Sequence, residues 1–165
     1  MQLQEFFDYK NTLIKKMLTN EQIVKLIDND ISVDTSRSLV YEQVFPFEFI
    51  PDTVEHGKTF ICIDVDIQRA IDKTFLLPVI YVWVFTHKSL LRLNDGGVRT
   101  DQLCIEIAKT INGSREFGLG ELDLASVKRF APITNFQGKV MTFIAKDFNR
   151  QFDPKKFAPS NRKSG

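Results

Sequence analysis

Apolar residues recur at helical spacing at the start of the chain, alternate through its middle, and return to helical spacing once before a last pair of alternating runs. In FFDYKNTLIKKML, Phe6, Leu13, Ile14, Met17 and Leu18 fall near i, i+3, i+4 and share one helix face. Thr19 followed by Gln22 has the capping-box form and predicts a second helix, EQIVKLID, which docks Ile23, Val24, Leu26 and Ile27. That helix stops at Asp28-Asn29-Asp30, and the polar run DTSRS separates the helical head from the rest of the chain.

From Tyr41 the period becomes two. Phe45, Phe47 and Phe49 alternate with Pro46 and Glu48, so this short strand belongs at a sheet edge or in a loop arm. Between Thr59 and Ile67, Ile61, Ile63, Val65 and Ile67 point one way, and Phe60, Cys62, Asp64 and Asp66 the other. Pro78 to His87 is apolar on both alternating sets, with Ile80, Val82 and Val84 opposite Val79, Tyr81, Trp83 and Phe85. That pattern predicts a central strand buried on two faces.

LNDGG reads as a turn or arm tip. The next segment, VRTDQLCIEIAKTI, predicts a helix with Leu103, Ile107 and Ile111 inward and Cys104 and Ala108 beside them. Thr100 or Asp101 serves as its cap and Asn112-Gly113 as a left-handed stop. Two strands follow, Glu121 to Phe130 and Lys139 to Asp147, joined by PITNFQG as a loose hairpin. The expected fold is α+β: a mostly antiparallel sheet of about five strands, an N-terminal helical segment, and one long helix packed on one face. One domain is expected over residues 1–149, followed by a basic C-terminal tail, 150–165.

Composition changes this picture in two places. The chain has 15 Phe, more than a small core obviously needs, and a surplus of large aromatics points to partners. Net charge is +1, but the tail is basic, leaving 17 basic against 20 acidic residues before it. A slightly acidic body argues against a nucleic-acid reader, which normally carries a basic face over its folded part. The longest apolar run, Phe75 to Phe85, is interrupted by Pro78 and too short to span a bilayer, so no membrane role is expected. The opening MQLQEFFDYKNT has no apolar stretch before a cleavage site, so no signal peptide is expected, and the expected residence is cytosolic.

Candidate chemistry is sparse. Cys62 and Cys104 are expected to be buried, reduced thiols. Asp64 and Asp66 form a DxD on one strand face and could share a divalent cation. With Pro51-Asp52 upstream, this partly resembles metal-dependent nucleases that carry PD followed by (D/E)xK. Asp66 stands where that lysine should be, and Lys58 comes too early in strand register. A polar strand side is the preferred reading. His56 and His87 lie beside no nucleophile motif, and GSREFGLGELD follows a helix, the reverse of a phosphate-cradling loop. No enzyme activity, metal or cofactor is expected. Phe45, Phe47, Phe49 and Phe117 look exposed and suit subunit contacts.

The segments TFICIDVDI and LLPVIYVWVFTHKSLLRL as paired strands, GVRTDQLCIEIAKTINGS as a helix on the sheet, and GLGELDLASVKRFAPITNFQGKVMTFIAKDFN as a closing strand pair resemble the tail terminator (tail-completion) proteins of long-tailed bacteriophages and related neck proteins. The likeness extends to about Asn149 and rests on patterns without an invariant motif. It implies a virion protein, assembled in the host cytoplasm into a ring, commonly a hexamer. Such a ring caps the tail tube and meets the neck or head-closure protein, with DNA passing through its lumen without specific binding. A neck or head-closure adaptor is the alternative. By position, the likeness places contacts in the loop from Thr86 to Arg99, with His87, Lys88, Arg92, Asp95 and Arg99 as candidates, and in the arm from Phe45 to Glu55.

Overall fold

A computed structural model describes residues 3–51, 57–71, 75–115 and 121–145, with only the backbone described for Phe6, 68–71 and 75–77. Asp52, His56, Phe117 and the basic tail lie outside the described residues. The fold is α+β. Helices α1 (Leu3–Leu18) and α2 (Glu21–Ile27) lead through a 3-10 turn, Val33–Leu39, into a five-stranded sheet. Its strands are β1 (Val44–Phe45), β2 (Thr59–Ile71), β3 (Phe75–His87), β4 (Leu122–Phe130) and β5 (Phe136–Ala145), in spatial order β1-β2-β3-β5-β4. Helix α3 (Arg99–Ile111) intervenes between β3 and β4. Among the described strand pairs β1–β2 is parallel and the other three are antiparallel.

The alternation read from sequence places the core. Ile61, Ile63 and Val65 of β2, Ile80, Val82 and Val84 of β3, and Met141 and Phe143 of β5 face the three helices. The helices answer with Leu13, Ile14 and Met17, with Ile23 and Ile27, and with Leu103, Ile107 and Ile111. Burying each such side chain is worth about 1.5–3 kcal/mol, so this layer supplies most of the driving force. The opposite sheet face carries a smaller aromatic cluster at one end: Phe45, Phe60, Phe85 and Phe136, with Cys62. Of the outward set on the central strand, Val79 and Phe85 are buried, whereas Tyr81 and Trp83 remain half-buried and stack on each other at 5.6 Å.

Several local expectations need correction. The cap of α2 is Asn20, whose Oδ1 accepts from the amides of Gln22 and Ile23; the Thr19 hydroxyl turns back to the Lys16 carbonyl. Helix α3 is entered at Val98 with no side-chain cap, and Thr100 is buried instead of capping. The polar run DTSRS is part of the 3-10 turn, with Ser36 buried and donating to the Val33 carbonyl. The β2–β3 hairpin is longer than the apolar alternation indicated. Both strands continue past Ile67 and Pro78, because a register shift between Ile67 and Arg69 accommodates the proline, which can donate no ladder hydrogen bond. Strand β5 begins at Phe136 instead of Lys139, since Asn135 adopts a left-handed φ of 71° and turns the hairpin earlier. Gly113, at φ 75°, makes the expected left-handed stop after α3.

Candidate interaction surface

The short strand β1 ends at Phe45, before Pro46, and the chain then folds its phenylalanines back over the end of the sheet. Phe45 stacks on Phe49 at 4.1 Å and 14°, Phe60 on Phe85 at 5.3 Å, and Phe136 meets both Phe60 and Phe85. Phe45 is therefore no exposed contact: it is 5% exposed and belongs to the core. Phe49 is half-buried. Phe47 alone of the three projects, 43% exposed, with its ring 6.3 Å from that of Tyr41, which is 62% exposed. Ile50 is also exposed. Tyr41 holds a left-handed φ of 65°, uncommon for an aromatic residue, where its amide donates to the Val44 carbonyl. The outcome is an exposed aromatic pair standing on a packed aromatic base.

His87 joins this base to the adjoining loop. Its ring meets Phe136 edge-on at 5.4 Å, and its Nδ1 lies 2.8 Å from Ser89 Oγ while accepting from the Ser89 amide. Lys88 is exposed, and its amide donates to the Asn135 carbonyl. Arg92 and Asp95 are also exposed, but Arg92 precedes and Asp95 lies within the turn closed by Leu93 and Gly97, on the side of α3. The candidates thus fall into two groups, Phe47, Phe49, His87 and Lys88 around the aromatic end, and Arg92 and Asp95 at the turn.

Arg99 belongs to neither group. Its Nε donates to the Leu90 carbonyl and its Nη1 to the Leu26 carbonyl, both at 2.8 Å, tying α2 to the loop. Burial lowers its pKa from the ordinary guanidinium value. Two of its donors are thus turned inward and give it a structural role, while the residue itself stays half-exposed.

The acidic strand side is also accounted for locally. Asp64 accepts from Lys10 Nζ at 3.2 Å and from the Val65 amide at 2.8 Å, while Asp66 stands exposed. Among the described residues, no three His, Cys, Asp or Glu side chains group as metal ligands. Cys62 and Cys104 are free and buried. Burial pushes the Cys62 thiol up to about 12 and the Cys104 thiol up to about 11, in the latter case with Asp101 adding to the shift and Lys139 opposing it.

Nothing in the sequence marked Tyr41, Ile50 or Arg129 as surface residues of interest, and Thr100 and Lys139 were legible there only as a helix cap and a strand start. Tyr41 lay just outside the alternating run, and only its backbone geometry marks it. Arg129 and Lys139 became neighbours only through the β4–β5 register.

No described helix is long and apolar enough to cross a membrane. No curated protein matches the chain. The family model YomW matches residues 11–145, most of the chain, and the chain therefore belongs to YomW, a phage-derived family.

Proposed function

We propose that this protein is a structural virion component of the tail terminator kind, forming a homo-oligomeric ring that caps the tail tube and joins it to the head-neck complex. The observation that carries this reading is the Tyr41–Phe47 pair, exposed aromatics on a packed base beside the His87–Lys88 loop. Exposed aromatics of this kind are enriched where proteins meet proteins. The phage-derived family supports phage origin, and the strand-and-helix pattern, which resembles that of tail terminators, favours the finer reading. Capping a tube is steric: a bound ring occupies the polymerising face, which requires contact surface and no bond chemistry. A ring of hexameric kind with DNA sliding through its lumen suits a body whose charges sum slightly acidic, since phosphate repulsion prevents sticking.

The test is a low-resolution map or immunogold labelling of the virion, paired with assembly of purified protein on tail tubes. Label at the head-proximal end of the tube is expected, and Phe47→Ser with Tyr41→Ser should abolish tube binding while leaving circular dichroism unchanged. Label on the capsid side of the neck, away from the tube, would sink the terminator reading in favour of a head-closure adaptor.

A further inference from the structure

Where α3 begins, the chain builds a cleft of about 490 Å³ between the helix start, the Leu91–Arg92 segment and the ends of β4 and β5. Three cations line it, Arg92, Arg129 and Lys139, against one carboxylate, Asp101. In a body with more acids than bases this is a local reversal of charge. Arg129 and Lys139 are moreover directly opposite one another in the β4–β5 register. Like charges so placed are destabilising unless something negative stands between them. Among the described residues, none of the three cations makes a salt bridge.

The helix supplies the other wall. Its first turn has no side-chain cap, and the amides of Thr100 and Asp101 have no acceptor among the described residues. Thr100 is only 2% exposed, yet it lines the cleft, and its hydroxyl makes no hydrogen bond to any described residue. The hydroxyl itself is not sealed off, since among the described residues no side-chain oxygen or nitrogen is both buried and without a partner, so it stays open to a bound group. The cations, the free amides and the hydroxyl therefore face one space from different elements, and all favour negative charge there.

We propose that this cleft binds a phosphate-type oxyanion, held by the α3 amides and the Thr100 hydroxyl on one side and by Arg129, Lys139 and Arg92 on the other. Asp101, exposed at the rim, weakens the site by repulsion and sets its affinity low. Binding of this kind does not depend on ring assembly.

The experiment is an amide ¹H–¹⁵N titration of the full chain with inorganic phosphate at constant ionic strength, with chloride as control. Saturable shifts centred on Thr100 and Asp101 are expected. The Arg129→Gln/Lys139→Gln variant should bind about tenfold more weakly or worse, as loss of charge-assisted bonds requires, and Asp101→Asn more tightly. Lys15→Gln/Arg37→Gln, which removes the same charge from the α1 side, should change nothing. Because the double variant also relieves like-charge repulsion, its phosphate-free thermal midpoint should equal or exceed that of the parent, so a folding defect cannot mimic loss of binding. A short DNA duplex then identifies the source: displacement of phosphate assigns the anion to a nucleic-acid backbone, and failure to displace assigns it to free phosphate. Shifts that never saturate, or an affinity unchanged in the double variant, would overturn the proposal.

Discussion

Gly138 crosses behind Phe85 with no room for a side chain: a Cβ built on Gly138 falls 2.6 Å from the Phe85 Cα and overlaps the Val84 carbonyl oxygen. The two residues are register partners in the β3–β5 ladder, and Phe85 anchors the aromatic end of the sheet. The obstacle is backbone, which cannot rotate aside. Gly138→Ala should therefore cost about 3 kcal/mol or more, the upper end for overpacking. Urea unfolding measures it directly. Trimming Phe85 to Leu in the same chain should not restore the loss, since the side chain is not what is struck.

Thr59 and Thr86 form a second intolerant pair, both fully buried, with their hydroxyls 2.8 Å apart across β2 and β3. The Thr86 hydroxyl has a further acceptor in the Lys58 carbonyl at 3.4 Å. Thr86→Val should thus cost more, about 1–3 kcal/mol, because it leaves the Thr59 hydroxyl buried alone; Thr59→Val leaves its partner one bond. The double valine should cost less than the sum of the singles. Additive losses in a double-mutant cycle would show that the hydroxyls do not interact.

The cysteines give the molecule an alkaline weakness. Folded thiols at about 12 and about 11 sit above the ordinary value of 9.0, so the native state keeps them protonated while the unfolded chain ionises. Their contribution is complete below pH 9 and is lost as pH rises from there toward the folded values, by about 1.4 kcal/mol per pH unit for each group. Cys62→Ala should flatten the stability profile between pH 9 and 11, whatever it costs at neutral pH. At pH 8, native protein should react with iodoacetamide far more slowly than urea-unfolded protein.

Periodicity carried the fold well where one face is buried and the other is not. The i+4 spacing of Leu103, Ile107 and Ile111 and the alternation from Ile61 to Val65 each locate a core face without ambiguity. It carried less where the determinant is nonlocal. Phe45 and Phe47 look equivalent in sequence, yet one stacks on Phe49 and the other projects, because β1 stops before Pro46 and the following chain folds back. Arg99 looked like a free loop cation until the carbonyls of Leu26 and Leu90 converged on it, 73 and 9 residues away. The Arg129–Lys139 juxtaposition depends on a register shift between Leu124 and Ser126 that no local pattern announces.

Tyr41 offers a way to separate stability from contact. A non-glycine residue in the left-handed region costs about 1–2 kcal/mol, and an aromatic ring does nothing to offset that. Asparagine tolerates the same φ far better. Tyr41 gains back only a loose ring contact with Phe47, at 6.3 Å and 42°. Tyr41→Asn should therefore leave stability unchanged or raise it by about 0.5–1 kcal/mol, while weakening any association through the aromatic pair. If the residue were there for folding, the substitution would lower the thermal midpoint. If it is kept for contact, the midpoint holds or rises while binding falls, and the two readouts move in opposite directions only in the second case.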